Sequence, residues 1–307
     1  MMERYDICLA WNWEHDTDFV AMFSSACKSH GLSLLQATPE TVAAIAEGLT
    51  GGEITFRAFW DRTSEGDARF IFLAQWAVDR GAFQINPLDQ ARMTWDKGRM
   101  HAALIDLGIY TPYTIILPSY AEQPAVPAVD LRVLGERFII KPAHGGGGEG
   151  VVVEANTIAQ VQMARQEFPD DRYLLQAHVA PVQLKGRAAW FRVIGCAEKI
   201  YLCWWDTHTH VYTPVTAAEE TGYNLSPLRT IATSIGEFCG LDLFSTEVAL
   251  APDGHFIVVD YVNDQIDLRL QSKAADGVPD AIVQDIADSL AGLIAARCVN
   301  PAIGGRR

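Results

Sequence analysis

The sequence of 307 residues has no long hydrophobic run and few basic residues. No segment approaches the ~18 consecutive apolar residues of a transmembrane helix, so a membrane-spanning protein is not expected. Lys and Arg number 24 against 38 Asp and Glu, which leaves a formal net charge of −14 at pH 7. Such a surface repels phosphate backbones and anionic membranes, so we expect neither nucleic acid nor membrane as a partner. A small phosphorylated ligand is still compatible, because a few local cations outweigh a distant negative field.

Cysteine pairs at the spacing of a disulfide framework or a zinc site are also missing. There is no C-x-x-C motif and no Cys/His ligand pattern among the six cysteines Cys8, Cys27, Cys196, Cys203, Cys239 and Cys298. This pattern indicates reduced, mostly buried thiols. The N-terminal apolar run is too short for a signal peptide, and acidic residues follow it at once. We therefore expect a soluble, cytoplasmic protein.

What the sequence does contain is the composition of a globular protein, with 49% apolar and 20% charged residues. The length suggests about two domains of roughly 100–200 residues each. Before Asn86, strand patterns over 5–11, 32–36 and 54–60 alternate with helical patterns that begin near Asp16, Thr38 and Arg69. Strands separated by helices predict a parallel sheet in an open α/β unit.

Beyond Asn86 the pattern changes. A helix is predicted over 89–107, and strand patterns then dominate as far as Asp264, interrupted by helices over 158–168 and 227–239. A final helix is predicted over 279–297, and residues 300–307 are predicted to be a mobile tail. No internal repeat occurs.

The most informative segment is the glycine run that follows Lys141-Pro142-Ala143-His144. Glycines let backbone N–H groups converge on an anion, because no Cβ blocks the approach. The run formally contains G-x-G-x-x-G, but a strand follows it, whereas a dinucleotide fold needs a helix there. It also lacks the Lys and Ser/Thr of a P-loop. The sequence therefore predicts an anion-binding hairpin with a lysine at the end of its first strand; a plain mobile turn is the alternative.

This hairpin resembles the small lid of the ATP-grasp superfamily, in which a strand lysine and a glycine loop fold over the nucleotide phosphates. Five other segments resemble the family and occur in the expected order. They are Asn86-Pro87 with Asp96-Lys97, Leu107-Gly108-Ile109 and Pro112-Tyr113-Thr114; Leu174 to Val179; WFRV around Arg192; FSTEVAL around Glu247; and VVDYVND around Asp260 to Asn263. The likeness covers roughly residues 86–267.

The resemblance implies an α/β protein, α+β in the lid, with the ATP-grasp fold. It implies an N-terminal parallel α/β unit, a small lid with the glycine hairpin, and a larger C-terminal subdomain with a mixed or antiparallel sheet. The corresponding boundaries are 1–88 for the N-terminal domain, 89–175 for the lid subdomain, and 176–307 for the subdomain that binds metal and nucleotide.

The resemblance also implies a nucleotide site. Lys97 and Lys141 would pair with the α- and β-phosphates, Arg192 would reach the terminal phosphate, and main-chain groups of Ala177 and Val179 would bind adenine. Gln176 could touch the base edge. The phosphate-binding loop would comprise His144, Gly145, Gly146, Gly147, Gly148 and Gly150. The acidic residue that holds the ribose in many relatives has no clear counterpart.

Three residues are the candidate catalytic groups: Lys141, Arg192 and Arg269. Arg269 and the nearby Lys273 are two cations beside a predicted metal site, so they are candidates to bind an anionic substrate or an acyl phosphate. The alternative for Arg192 is a structural ion pair. The alternative for Arg269 and Lys273 is a solvated helix start.

The metal site implied by the resemblance consists of Glu247, Asp260 and Asn263, which would hold Mg²⁺ through hard oxygen atoms. Two ions are expected, with Mn²⁺ as an alternative. The family spacing on the last strand is an acid, one residue, then Asn, whereas Asp260 and Asn263 are three apart. That spacing places them on opposite strand faces unless a bulge intervenes. Either the strand bulges, or Asp264 or Asp267 takes one of the roles.

The implied activity is that of an ADP-forming carboxylate–amine ligase, which uses ATP and Mg²⁺ and proceeds through an acyl phosphate. Its partners would be a small-molecule carboxylate and an amine, and a homodimer is compatible with the family. Three alternatives stay open. They are a kinase of the same superfamily, an ATP-binding module without catalysis, and an unrelated α/β protein with a glycine hairpin.

Overall fold

Three main β-sheets organise the chain in this computed structural model, which describes residues 2–299. Residues 300–307, for which a mobile tail is predicted, lie outside the described residues. Each sheet is built from its own run of the sequence.

The first sheet is parallel and four-stranded. Its strands are β1 (Glu3–Ala10), β2 (Leu34–Ala37), β3 (Ile54–Asp61) and β4 (Phe83–Ile85). They lie in the order β2-β1-β3-β4. The helices between them are α1 (Thr17–Ser29), α2 (Val42–Gly51) and α3 (Ile71–Asp79). The predicted open α/β unit is confirmed, and β4, with 3 residues, is too short for the sequence pattern to reveal.

The predicted continuous helix over 89–107 is wrong, because the chain forms two helices, α4 (Leu88–Trp95) and α5 (Lys97–Asp106). Asp96 between them is extended, with φ −84° and ψ 98°, and its side chain accepts a hydrogen bond from the backbone N–H of Arg99. An aspartate in this conformation caps the N-terminus of a helix, so a new helix starts here. The break places Lys97 at the first position of α5.

The second sheet, called the lid sheet below, is antiparallel. Its strands are β5 (Thr114–Leu117), β6 (Phe138–Pro142), β7 (Val152–Ala155) and β8 (Tyr173–Ala177), in the order β5-β8-β6-β7. Helix α6 (Ile158–Glu167) begins with a capping box formed by Thr157 and Gln160. Val161 and Ala164 of this helix share a small apolar core with Phe138 and Ile140.

The third sheet, called the large sheet below, is also antiparallel. A two-stranded hairpin, β9 (Gln183–Leu184) and β10 (Arg187–Ala188), precedes it. Its strands are β11 (Trp190–Cys196), β12 (Lys199–Trp205), β13 (Tyr212–Pro214), β14 (Leu243–Leu250) and β15 (Phe256–Asn263), in the order β13-β12-β11-β14-β15. The helices of this part are α7 (Ala217–Gly222), α8 (Ser226–Cys239) and α9 (Asp280–Val299).

The two faces of the large sheet belong to different cores. Phe191 and Val193 of β11 pack with Leu228 and Ala232 of α8, in a core that also takes in Met100 of α5. Ile194 and other residues of the opposite face join a core formed with helices α1 and α9. The large sheet is therefore held between α8 on one side and the N-terminal unit on the other, since alternate residues of a strand point to opposite faces.

Strand β8 runs across the predicted boundary between residues 175 and 176, and α5 packs on the large sheet. The three-part division at 88/89 and 175/176 stays a prediction. No helix within residues 2–299 is both long and apolar enough to cross a membrane. All six cysteines are free thiols, and five of them are buried.

Candidate functional site

The predicted metal-binding side chains lie next to one another on the large sheet. Arg192 of β11 pairs across the ladder with Glu247 of β14, and Glu247 pairs with Asp260 of β15. The register of β15 shifts on both sides of this pair, and Ser245 is the partner of Asn263. Ser245 and Glu247 are two apart and share a face, so the extra residue of the bulge brings Asn263 to the face that carries Asp260. The bulge considered for this strand is thus confirmed.

Arg192 and Glu247 form a nearly buried ion pair. Arg192 Nη1 donates to Glu247 Oε1 at 2.5 Å, and Trp190 Nε1 donates to Oε2 at 3.1 Å. The side chains of Arg192 and Glu247 are only 12% and 18% exposed. Burial raises the pKa of Glu247, against the opposing effect of Arg192. Burial alone would lower the pKa of Arg192, but Glu247, Tyr212 and Asp260 together outweigh it, so the guanidinium is held charged.

The Arg192 guanidinium retains unused donor capacity. Its Nε is buried and has no hydrogen-bond partner within the described residues. Its Cζ lies 5.1 Å from the ring centroid of Trp205. Buried N–H groups without partners are rare in folded proteins, which favours a ligand that supplies an acceptor here.

Lys141, at the end of β6, enters the space between the lid sheet and the large sheet. It is 6% exposed, and its Nζ donates to the Val259 carbonyl of β15 at 3.2 Å. No carboxylate of the described chain lies within ion-pair distance of this Nζ. Burial lowers the pKa of Lys141, and the charge of Asp260 opposes that shift. A buried ammonium without an anion is costly, so the position suits an anionic ligand.

Lys97 contacts the start of the glycine loop. Its backbone N–H donates to the Ala143 carbonyl at 2.9 Å, and its Nζ donates to the carbonyl of Gly145. Within the loop, φ is positive at Gly145 (91°), Gly147 (63°) and Gly148 (81°), a region that side chains rarely adopt. A Cβ placed at any of residues 145–148 would meet nothing within 4 Å. The loop therefore has open space around its backbone, as an anion-binding loop requires.

His144 ties the beginning of this loop to the segment before β8. Its backbone N–H donates to Asp171 Oδ2 at 2.8 Å, and its Nδ1 lies 2.8 Å from Asp171 Oδ1. A cavity of about 490 Å³ is lined by His144, Gly145, Phe168 and several acidic residues. That cavity does not include Lys141, Arg192 or Glu247, so it is separate from the charged cluster described above.

The predicted adenine-binding groups are partly engaged within the protein. The Ala177 N–H donates to the Tyr113 carbonyl at 2.8 Å, and Gln176 Nε2 donates to Tyr261 Oη at 3.0 Å. Gln176 is 1% exposed and Val179 is also buried. One N–H of the Gln176 side-chain amide is therefore engaged by Tyr261, and the roles of Gln176, Ala177 and Val179 stay predictions.

Arg269 is held by two carboxylates and lies near an aromatic ring. Its Nε donates to Asp267 at 2.8 Å, its Nη2 donates to Asp276 at 2.8 Å, and its Cζ lies 5.5 Å from the ring centroid of Trp13. Burial raises the pKa of Tyr212, and the charges of both Arg192 and Asp267 act on it, so the Asp267–Arg269 pair lies in the same electrostatic neighbourhood as Arg192. Two carboxylates thus hold the Arg269 guanidinium, and its role in binding an anionic substrate stays a prediction.

Two residues of this region were not anticipated. His101 Nδ1 and Tyr261 Oη share a hydrogen bond of 2.8 Å, and the Tyr261 ring lies beneath Lys141 Nζ, 5.1 Å from its centroid. Tyr261 stands between Asp260 and Asn263 in a run of apolar strand residues, and His101 is one of several polar residues on its helix. Neither position carries a pattern that marks it, since the contact joins residues 160 apart in sequence.

Comparison with known proteins gives a fold but no family model. No protein-family model matches the sequence, and no curated protein matches it. Among solved structures, the RimK domain ATP-grasp protein of Sphaerobacter thermophilus DSM 20745 is similar, with a TM-score of 0.63, 18% identity, and coverage of 94% of this chain and 98% of that chain. D-alanine–D-alanine ligase of Bacillus anthracis complexed with ATP has a TM-score of 0.62 and 13% identity. The match covers 95% of this chain and 99% of that chain.

A third similar structure is the macrocyclase MdnC of Microcystis aeruginosa MRC bound with the precursor peptide MdnA. Its TM-score is 0.58 and its identity 11%, over 96% of this chain and all (100%) of that chain. These likenesses extend over almost the whole length of each chain. The protein has the ATP-grasp fold, as the order of its sequence motifs predicted.

Proposed function

We propose that the protein is an ATP- and Mg²⁺-dependent ligase that joins a carboxylate to an amine and releases ADP and phosphate. The observation that carries this proposal is the convergence of Lys141, Arg192 and the Glu247–Asp260 pair between the lid sheet and the large sheet. Two buried cations beside two carboxylates suit a nucleotide triphosphate with its metal ion. The ligase and macrocyclase among the similar structures support ligation over other uses of the fold.

The nucleotide would lie in this cleft with its phosphates beneath the glycine loop. Within residues 2–299, Lys141 has no carboxylate partner, Arg192 has an unused Nε donor, and the loop backbone at residues 145–148 is unobstructed. Lys97 would exchange its contact with the Gly145 carbonyl for a phosphate oxygen. These donors would neutralise a polyanion in a chain whose net charge is otherwise strongly negative.

The donor set on β14 and β15 fits Mg²⁺. Glu247 and Asp260 would supply carboxylate oxygens and Asn263 an amide oxygen, and the remaining positions would go to phosphates and water. Within residues 2–299 no cluster of three or more His, Cys, Asp and Glu side chains is arranged to hold a metal ion. When bound, Mg²⁺ would neutralise the charge that develops on the transferring phosphoryl group.

The proposed reaction has two steps. A substrate carboxylate oxygen attacks the γ-phosphorus of ATP, and the bond from that phosphorus to the bridging oxygen breaks, which releases ADP. The amine nitrogen then attacks the carbonyl carbon of the acyl phosphate and loses a proton, and phosphate leaves with the electrons of the C–O bond. Arg192 and Lys141 would stabilise the phosphoryl charge in the first step. The glycine loop would donate N–H groups and exclude water from the acyl phosphate.

The test is a phosphate-release screen that pairs carboxylates with amines, with amino acids and short peptides in both roles. We expect one pair to release phosphate and form an amide. Lys141→Ala should lower kcat/KM for ATP at least about tenfold, because a charge-assisted hydrogen bond to phosphate is lost. Lys28→Ala, which removes an exposed lysine of α1, is the matched control and should behave like the wild type.

Each other outcome has a defined meaning. A phosphorylated product without an amide would make the protein a kinase, and ATP binding without turnover across the panel would make it a binding module. Failure to bind ATP, or a signal that Lys141→Ala leaves unchanged, would contradict the proposal.

A further inference from the structure

Tyr261 is a buried residue at which four elements of the protein meet. It belongs to β15, next to Asp260, and is 1% exposed. Its hydroxyl contacts His101 of α5 and Gln176 of β8, and its ring contacts Lys141 of β6. Since the residue is enclosed, it does not itself touch a ligand in the cleft.

The hydroxyl and the ring of Tyr261 make different kinds of contact. The oxygen shares a 2.8 Å hydrogen bond with His101 Nδ1 and accepts a 3.0 Å hydrogen bond from Gln176 Nε2. These two partners come from different elements, so together they fix both the position and the tilt of the ring. A buried hydroxyl with both partners satisfied is rigid, because moving it would leave polar groups unpaired.

The ring then faces the ammonium group of Lys141. Lys141 Nζ lies 5.1 Å from the ring centroid and donates to the backbone carbonyl of Val259, two residues before Tyr261. The negative face of an aromatic ring attracts a cation at this distance. No carboxylate in the described part of the protein forms an ion pair with this ammonium. The Tyr261 ring and the Val259 carbonyl therefore hold the Lys141 ammonium at the cleft.

We propose that Tyr261 is a positioning residue for nucleotide binding, which holds the Lys141 ammonium in the cleft while His101 and Gln176 hold the ring. The inference rests on the proposed function, in which Lys141 binds the phosphates of ATP. It adds that the lysine is effective only where the ring places it. Without the ring, the long and flexible lysine side chain would lose more conformational entropy when it binds phosphate.

The experiment is a double-mutant cycle read as the dissociation constant of ATP, measured by titration calorimetry in EDTA so that the metal ligands do not contribute. Tyr261→Leu removes the ring, Tyr261→Phe keeps the ring but removes the hydroxyl, and Lys141→Met removes the ammonium. We expect Tyr261→Leu to weaken ATP binding between about 2-fold and 30-fold, the range of a partly to fully desolvated cation–π contact. Tyr261→Phe should weaken it less.

The decisive result is the coupling. In the Lys141→Met background, Tyr261→Leu should cause no further loss, because the group that the ring positions is gone. A merely structural role would give the same loss in both backgrounds and would overturn the proposal. Tyr223→Leu is the matched control, since its ring also lies beneath a lysine, Lys185, at 5.9 Å, and it should not change ATP affinity.

Failure of the inference and failure of the proposed function can be told apart. If the wild type does not bind ATP even when Mg²⁺ is present, or if Lys141→Met leaves the ATP affinity unchanged, the proposed function fails and the inference fails with it. If Lys141→Met weakens binding but the effects of Tyr261→Leu are additive, only the inference fails. Should Tyr261→Leu not fold, Tyr261→Phe completes the same cycle, and an equal loss in both backgrounds is again the contradicting result.

Discussion

Asp264 is a buried carboxyl group, and replacing it with asparagine tests how burial controls its ionisation. It is 8% exposed, and its Oδ1 accepts a hydrogen bond from Trp95 Nε1 at 3.1 Å. Burial, and then the nearby charge of Glu65, raise its pKa from 3.8 to about 7. Asp264→Asn has the same shape and keeps an oxygen for the Trp95 hydrogen bond, but it does not ionise.

The sign of the effect follows from the two pKa values of Asp264. The folded protein keeps the proton up to about pH 7, whereas the unfolded chain releases it near 3.8, so the free energy of unfolding falls as pH rises between these values. Each pKa unit is worth about 1.4 kcal/mol, so roughly three units give an upper bound of about 4 kcal/mol. Asp264→Asn should equal the wild type near pH 4 and be about 1–4 kcal/mol more stable near pH 8.

The assay is urea unfolding of both proteins between about pH 4 and pH 8. EDTA is present throughout, because Asp264 adjoins the predicted metal ligand Asn263. Subtracting one stability curve from the other cancels the titrating groups that do not interact with Asp264. The exposed Asp253 is the control: a hydrogen bond from His255 lowers its pKa, so Asp253→Asn should change stability in the opposite direction. A flat difference curve for Asp264→Asn, or a variant less stable than the wild type near pH 8, would refute the reasoning.

Two further substitutions test the packing around the site and in the N-terminal unit. Gly150 has φ 68°, and a Cβ there would come within 2.6 Å of the Phe168 ring. Gly150→Ala should therefore lower the free energy of unfolding by at least about 1 kcal/mol, whereas Gly146→Ala should not. Equal urea midpoints for the two variants would contradict this. Asp16 and Arg62 form an ion pair whose side chains are only 3% and 4% exposed. Asp16→Asn should therefore lower the free energy of unfolding by about 3–5 kcal/mol in the same assay. A loss below about 1 kcal/mol would show that the pair is not effectively buried.

Much of the architecture was predictable because its signals are local. The strands and helices before Asn86 follow from hydrophobic periodicity, and the hairpin with Lys141 follows from its glycines and flanking β-branched residues. The helix break at Asp96 is also local, yet it was missed, because an aspartate inside a helical pattern is as often an exposed polar residue as a cap. The pattern alone does not distinguish the two.

The candidate site was predictable as a set of residues but not as an arrangement. Glu247, Asp260 and Asn263 come from motif order, but the bulge that aligns Asn263 with the acids depends on how β15 pairs with β14. The engagement of Arg269 by Asp267 and Asp276 likewise depends on how the loop beyond β15 folds.

By itself, the sequence determined the order of the elements, the glycine loop, the acidic balance and the residue types available for a nucleotide site, since each is written in short-range pattern or composition. Only the tertiary structure decided which of these residues meet. Lys141 lies 118 positions from Val259, and His101 lies 160 from Tyr261, so their contacts arise when separate sheets and helices pack together. The cluster at the cleft is a property of that packing, because side-chain electrostatics act over a few ångströms of space rather than along the chain.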